Sequence, residues 1–137
     1  LINIKKGKQK SLVLGNLYAR RDWGHAADYV EAIYKILQQN KPDDYVIATG
    51  KDYTVKEFVN KTAKIIKLKI QWKGKGLNEV AVNQFGKTIV SIDKKYFRPL
   101  EVDYLRGDAS KAKKYLKWKI KNSIDDLIKQ MVKYELD

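Results

Sequence analysis

Apolar residues recur at helical spacing in the first third of this chain. Ala26, Val30, Ile33 and Leu37 follow one another in steps of three or four residues. This spacing is typical of an amphipathic helix and predicts one over residues 24–37.

Further helices are predicted from capping residues and apolar periodicity. Thr54 and Glu57 have the spacing of a capping box. The helix that follows has an apolar face of Val55, Phe58, Val59, Thr62 and Ile66. Asp108 can cap a short helix through Leu116, and Ser123 can cap a last one. That last helix has apolar residues at Ile124, Leu127, Ile128, Met131 and Val132.

Short apolar runs between these helices predict strands at residues 12–14, 69–72 and 88–92, with a loop or loose hairpin at 74–86. Residues 45–49 (YVIAT) form a continuous apolar run, which is typical of a parallel strand buried on both faces. Strands and helices alternate, so the predicted class is α/β. The chain offers few parallel partners for residues 45–49, which indicates that part of their sheet belongs to sequence outside this chain.

The 137 residues are enough for one domain with a core, and no repeat or linker divides them. The chain begins with Leu1, as expected of an internal or processed fragment. It lacks cysteine, which excludes disulfides and thiolate metal sites and fits a reducing cytoplasm. Its single histidine argues against a histidine metal site or a Ser-His-Asp triad. No apolar run approaches the roughly 20 residues of a membrane span.

The formal net charge of +13 allows two interpretations. One is an anionic partner, such as nucleic acid, a membrane surface or a phosphorylated ligand. The other is a lysine-rich solvated surface, which the even spread of lysines along the chain favours. Gly74 and Gly76 begin like a dinucleotide-binding loop, but Glu79 stands where the third glycine should be. Binding groups are therefore easier to identify than a reaction centre.

Two arginine-containing stretches suggest an anion site. Arg21 precedes the first predicted helix, whose free amides and dipole favour an anion, and its guanidinium suits phosphate oxygens. The alternative is an exposed Arg20, an Asp22 that caps the helix and a Trp23 in the core.

The second stretch contains Arg98, followed by Pro99, which stiffens the backbone, and Glu101, which can orient the arginine or accept ribose hydroxyls. The alternative is a turn with a surface ion pair, which contributes little stability. Taken together, the two arginines suit a diphosphate held from both sides.

Four segments, LGNLYARRDWGHAADYV, DDYVIATGKDYTVKEFV, KYFRPLEVDYLRGDASKAKKYLKW and IDDLIKQMV, resemble the C-terminal part of the GDP-mannose 4,6-dehydratase family. These proteins are extended short-chain dehydrogenases/reductases of the epimerase/dehydratase superfamily. The resemblance implies that residues 1–137 form one unit, the C-terminal GDP-sugar-binding portion of an extended Rossmann-type enzyme. The family's NADP loop, catalytic Thr and Glu, and Tyr-x-x-x-Lys pair lie in the N-terminal half, so this chain alone is expected to be inactive.

The resemblance also implies a reaction. The intact cytoplasmic enzyme, a lyase of nucleotide-sugar metabolism on the route to GDP-fucose, uses NADP to oxidise C4 of GDP-mannose. It then eliminates water across C5–C6 and returns the hydride to C6. Related enzymes act on GDP-manno-heptose. The resemblance implies a homo-oligomer with no nucleic-acid or membrane partner. A basic nucleic-acid-binding module and a truncated, non-catalytic relative are the competing hypotheses.

The same resemblance assigns substrate-binding residues in this numbering. They are Leu14, Gly15, Asn16, Arg21, Arg98, Glu101 and Leu105. The first three match the strand end that lines the nucleotide pocket, the two arginines match the diphosphate ligands, the glutamate matches the ribose ligand, and the last leucine lies near the base. No catalytic, cofactor-binding or metal residue is assigned.

Three neighbouring positions carry no assigned binding role. Tyr18 stands where the family commonly has aspartate, Arg20 is expected only to add positive field, and His25 is expected to hold the turn.

Overall fold

The computed structural model describes residues 1–97, 102 and 104–136. Its helices are α1 (Ile2–Lys5), α2 (Ala26–Leu37), α3 (Val55–Ile65), α4 (Ser110–Tyr115) and α5 (Ile124–Leu136). Its strands are β1 (Leu12–Leu14), β2 (Arg20–Arg21), β3 (Tyr53–Thr54), β4 (Ile70–Lys73), β5 (Val80–Asn83) and β6 (Thr88–Ile92). Short 3₁₀ turns occupy Gly76–Asn78 and Lys94–Tyr96.

A mixed sheet has the strand order β1-β6-β5-β4, in which β1 runs parallel to β6 and the other pairs are antiparallel. The predicted strands at 12–14 and 88–92 are confirmed, and the one predicted at 69–72 is displaced by one residue. The segment 74–86, predicted as a loop or loose hairpin, contains β5, which pairs antiparallel with both β4 and β6. The α/β class is confirmed.

The predicted strand at residues 45–49 is wrong for the described chain, because no described strand pairs with this segment. A strand needs a neighbour to accept and donate its backbone hydrogen bonds. One side of the segment packs against the chain: Ala48 is buried and lies so close to Gly107 that a side chain there would overlap it. Val46 lies near the same glycine yet is 56% exposed, so the described chain covers this edge of the segment only in part.

Helix α2 forms where the apolar spacing predicted it, but it does not bury the residues that carry the spacing. Val30, Ile33 and Leu37 are exposed, with Leu37 at 74%. The buried positions are Asp28 and Ala32. An amphipathic helix normally turns its apolar residues toward a core. The described chain provides no core on this side of α2.

Helices α3 and α5 pack against each other, and both begin as predicted. Thr54 and Glu57 form the capping box of α3, and Ser123 Oγ accepts the amide of Asp126 at the start of α5. Their buried residues contribute to two core clusters. One contains Val59, Ala81, Ile89 and Val90, and the other contains Ile66, Ile124, Ile128 and Val132.

A third core region depends on the buried side chain of Asp28. Its carboxylate accepts the backbone amides of Lys121 at 3.3 Å and Asn122 at 3.1 Å, and the Asn122 side-chain amide at 2.9 Å. The indole of Trp118 donates to the Asp28 backbone carbonyl at 2.8 Å. These bonds fix the start of α2 to the segment that leads into α5.

We expect Asp28→Ala to lower the free energy of unfolding by about 2 kcal/mol, because it leaves part-buried donors of Lys121 and Asn122 without an acceptor. Urea unfolding followed by circular dichroism measures the change. Asp43→Ala is the control, since Asp43 is an exposed carboxylate paired with Lys111, and its midpoint should stay near wild type. Equal midpoints for the two variants would contradict the role given to Asp28.

Candidate functional site

Arg21 lies in the short strand β2, which pairs antiparallel with β3 so that Arg21 is opposite Tyr53. Its guanidinium Nη1 donates to the backbone carbonyls of Arg20 at 2.8 Å and Val102 at 2.6 Å. Arg21 is therefore joined to Val102, a residue 81 positions away in the sequence.

Two more contacts join the same parts of the chain. Arg20 forms an isolated parallel bridge with Tyr104. At the end of β1, a side chain on Gly15 would approach the Tyr96 carbonyl oxygen to 2.5 Å, so only glycine fits between them. Tyr96 therefore lies against the end of β1, and Val102 and Tyr104 lie against β2. Arg98 and Glu101 lie outside the described residues.

The side chain of Asn16 holds the turn after β1. Its Oδ1 accepts the backbone amides of Tyr18 at 2.9 Å and Ala19 at 3.2 Å. Leu14 packs against the core cluster of the sheet, and its carbonyl accepts the amide of Asp93 at 2.9 Å. All three predicted pocket residues at the end of β1 therefore have a structural role in the fold. Leu105, the residue expected near the base, is exposed.

The start of α2 differs from the prediction in two ways. The helix begins at Ala26, so Arg21 is five residues away from it and not two or three. The cap is His25, whose Nδ1 accepts the amide of Ala27 at 3.1 Å, and not Asp22. Because Nδ1 is the acceptor, Nε2 carries the proton and donates to Gln130 Oε1. These bonds give the single histidine a structural position, as expected, and weaken the argument for an anion at this helix end.

Asp22 instead fixes the turn to residues 49 and 50. Its carboxylate accepts the Thr49 amide at 3.0 Å, the Thr49 hydroxyl at 2.5 Å and the Gly50 amide at 2.8 Å. Trp23 packs on Phe58 with ring centroids 5.0 Å apart, in agreement with a role in the core. Gly24 allows the Tyr29 ring to approach the backbone, because a side chain at this position would overlap that ring.

Arg20 was expected only to add positive field, and this expectation is wrong. Its Nε donates to the Asp52 carboxylate, and its Nη2 donates to the Asp52 carbonyl at 3.3 Å. The hydrogen bond from Arg20 holds the pKa of Asp52 below its ordinary value. The pair neutralises much of the charge beside Arg21 and anchors β2 to the chain before β3.

The sequence did not reveal a buried carboxylate beside the turn after β1. Glu79 accepts hydrogen bonds from the Tyr18 hydroxyl and the Lys56 ammonium. In the sequence, Glu79 stood out only as the residue in place of a third glycine. The structure also excludes a dinucleotide loop there, since Gly76 starts a 3₁₀ turn that leads into β5 and not into a helix.

A separate apolar cavity of about 450 Å³ lies between β1, α3 and α5, and it is lined by residues that include Leu14, Trp23, Phe58 and Met131. Neither Arg21 nor Asn16 lines it. Within the described ranges, no group of histidine, cysteine and acidic side chains could hold a metal ion. No helix of the described chain is long and apolar enough to cross a membrane.

Comparison with known proteins gives the following matches. The family model described as GDP-mannose 4,6 dehydratase matches residues 1–131. GDP-mannose 4,6 dehydratase of Dictyostelium discoideum is 50% identical over 132 residues, which are 96% of this chain and 37% of that protein. The Homo sapiens protein of the same name is 48% identical over 96% of this chain and 36% of its own length. The chain thus spans little more than a third of these relatives.

Solved structures support the fold. RMD from Pseudomonas aeruginosa, complexed with NADPH, has a TM-score of 0.74 at 17% identity, over 96% of this chain and 38% of that one. The dTDP-glucose 4,6-dehydratase of Bacillus anthracis, in complex with NAD, has a TM-score of 0.73 at 19% identity, over 99% of this chain and 37% of that one. At these identities the likeness concerns the fold alone.

The role of His25 can be tested through helix stability. We expect His25→Ala to lower the free energy of unfolding by about 1 kcal/mol through loss of the cap, and His25→Asn to retain most of it because asparagine also caps. Both variants lose the contact with Gln130, so the difference between them in urea unfolding reports the cap alone. Identical stabilities would show that the imidazole does not act as a cap.

Proposed function

The chain belongs to the GDP-mannose 4,6 dehydratase family, and from that membership we propose that it forms the GDP-sugar-binding part of a longer enzyme. That enzyme, a lyase, converts GDP-mannose to GDP-4-keto-6-deoxymannose. The structural observation that supports this most strongly is the hydrogen bond from Arg21 to the Val102 carbonyl, 2.6 Å long. It joins the first predicted diphosphate ligand to Val102, which follows the second predicted ligand, Arg98, by four positions in the sequence.

In this proposal Arg21 and Arg98 bind the diphosphate from two sides. A guanidinium offers several donors in a plane and remains charged at any physiological pH, which suits phosphate oxygens. Glu101 accepts hydrogen bonds from the ribose hydroxyls. The end of β1, at Leu14, Gly15 and Asn16, lines the nucleotide pocket, and Leu105 is close to the base.

The catalytic residues and the cofactor site are assigned to the part of the enzyme that precedes this chain. NADP, when bound there, supplies the hydride acceptor for oxidation at C4 and the hydride donor at C6. This chain contributes the orientation of the sugar nucleotide, since the diphosphate clamp fixes where the hexose projects. The names of the relatives favour mannose over manno-heptose, and we place the enzyme in cytoplasmic GDP-fucose synthesis as a homo-oligomer.

The exposed apolar side of α2 supports the proposal that a further part of the enzyme covers it. Val30, Ile33 and Leu37 project from this side, and Val46 is exposed on the unpaired segment 45–49. A soluble protein rarely leaves such residues together in water. We propose that the preceding cofactor domain packs here, and that residues 45–49 complete its parallel sheet.

A nucleic-acid-binding role has less support. Several lysines are paired with acids within the chain, including Lys56, Lys61, Lys111 and Lys121. Such pairs reduce the charge available to a phosphate backbone. Affinity for DNA or RNA that falls steeply with added salt would restore this alternative.

The diphosphate clamp is tested by calorimetric titration of GDP into the full-length enzyme. Arg21→Ala and Arg98→Ala should each weaken binding by about tenfold to a hundredfold, because each removes charged hydrogen bonds to phosphate. Arg106→Gln is the matched control, since Arg106 stacks over Tyr104 in the same region and has no assigned role. Unchanged affinity in both alanine variants, or no GDP binding by wild type, would contradict the proposal.

The proposed domain contact on the exposed apolar side of α2 is tested by measuring self-association of the isolated chain. The isolated chain should associate through α2, and Ile33→Lys with Leu37→Lys should reduce its sedimentation coefficient while leaving its unfolding midpoint nearly unchanged. In the full-length enzyme the same pair should lower thermal stability, because charges would then be buried at a domain contact. Tyr134→Lys alters an exposed residue of α5 and serves as control. Equal behaviour of both variants in both proteins would exclude α2 as the contact.

A further inference from the structure

Glu79, at the entrance to β5, is a buried carboxylate with two donors. The Tyr18 hydroxyl donates to its Oε2 at 2.6 Å, and the Lys56 ammonium donates to its Oε1 at 2.5 Å. Burial raises the pKa of Glu79, but the hydrogen bonds from Lys56 and Tyr18 outweigh it and hold the pKa below its ordinary value. The carboxylate is therefore charged at neutral pH.

The ammonium of Lys56 also lies near two aromatic rings. Its Nζ lies 4.9 Å from the ring centre of Trp72 and 5.5 Å from that of Tyr18. A cation near aromatic faces is stabilised by the ring electrons. Lys56, Glu79 and Tyr18 therefore form one network, which we call the brace.

The brace is attached to the turn at residues 16–19. The backbone amide of Lys56 donates to the Leu17 carbonyl at 2.9 Å, and that of Val55 donates to the Ala19 carbonyl at 3.2 Å. Leu17 and Ala19 are buried. Arg21 follows this turn after one intervening residue, so displacement of the turn would displace the guanidinium.

We infer that Tyr18, Lys56 and Glu79 are positioning residues, which set the turn at 16–19 and through it place Arg21 for the nucleotide diphosphate. The inference rests on the proposed function. None of the three is assigned to touch the ligand. Tyr18 is 54% exposed, so Tyr18→Phe keeps the ring and removes only the hydrogen bond from its hydroxyl to Glu79. A bidentate clamp is sensitive to shifts of the turn.

The test measures GDP affinity by calorimetry, and KM and kcat with GDP-mannose, in the full-length enzyme. Tyr18→Phe and Lys56→Met should each raise the dissociation constant and KM by about fivefold, the effect of one positioning hydrogen bond, with kcat unchanged. Lys56→Arg keeps a cationic donor for Glu79 and should stay within about twofold of wild type.

Lys61→Met is the matched control for Lys56→Met. Lys61 lies on the same helix, donates to Asp125 at 2.9 Å and has Nζ 5.5 Å from the ring centre of Tyr53, but no bond in the network joins it to the turn at 16–19. It should therefore lose an ion pair and a ring contact of the same kind, although with a more exposed acid, without losing affinity. Thermal unfolding of each variant separates stability from binding, and Tyr18→Phe decides the question if Lys56→Met does not fold.

The outcomes distinguish the brace from the diphosphate clamp. Unchanged affinity in Tyr18→Phe and Lys56→Met, alongside weaker binding in Arg21→Ala, would overturn the brace and leave the proposed function standing. An equal loss in Lys61→Met would also overturn it, since the effect would then be one of general stability. Unchanged affinity in Arg21→Ala would overturn the proposed role of Arg21 and the brace together.

Discussion

The first turn of α3 contains backbone amides that have no hydrogen-bond acceptor within the helix. The groups that accept these hydrogen bonds connect α3 to the chain around the candidate site. Helix starts leave such donors open as a rule. Here Thr54 Oγ1 accepts the Glu57 amide at 3.0 Å. The carbonyls of Leu17 and Ala19 accept the amides of Lys56 and Val55. The helix thereby fixes the turn that leads from β1 into β2.

Local sequence rules predicted the parts of the fold that depend on local contacts. The capping box of Thr54 and Glu57 needs only residues three positions apart, and it forms as predicted. The cap of α2 does not follow from such rules. Asp22 and His25 can both cap a helix, and the choice depends on Thr49 and Gly50, which take the carboxylate of Asp22 and leave the cap to the imidazole.

Predictions that depended on contacts with residues far away in the sequence were less accurate. An apolar run shows that residues 45–49 favour an extended backbone, but a strand requires a neighbour, and the described sheets provide none. The apolar spacing of α2 predicted its helical state but could not show that the apolar residues remain exposed.

The candidate site shows the same division. Arg21 could be identified as a candidate anion ligand from its neighbours in the sequence. Its contact with Val102 spans 81 positions and the bond from Tyr18 to Glu79 spans 61, so neither leaves a local pattern. The roles of Arg98 and Glu101 stay predictions.

The bonds of Asp22 connect the two halves of the proposal. This carboxylate is adjacent in sequence to Arg21, and it binds Thr49, the last residue of the unpaired segment 45–49, and Gly50, which follows it. If that segment pairs with the sheet of a cofactor domain, the pairing fixes Thr49, and the three hydrogen bonds of Asp22 carry that constraint to β2. A contact made for domain assembly would then also orient the diphosphate ligand. The acid beside Arg21 therefore has a structural role of its own, because two amides and a hydroxyl stabilise its carboxylate and hold it at the end of β2.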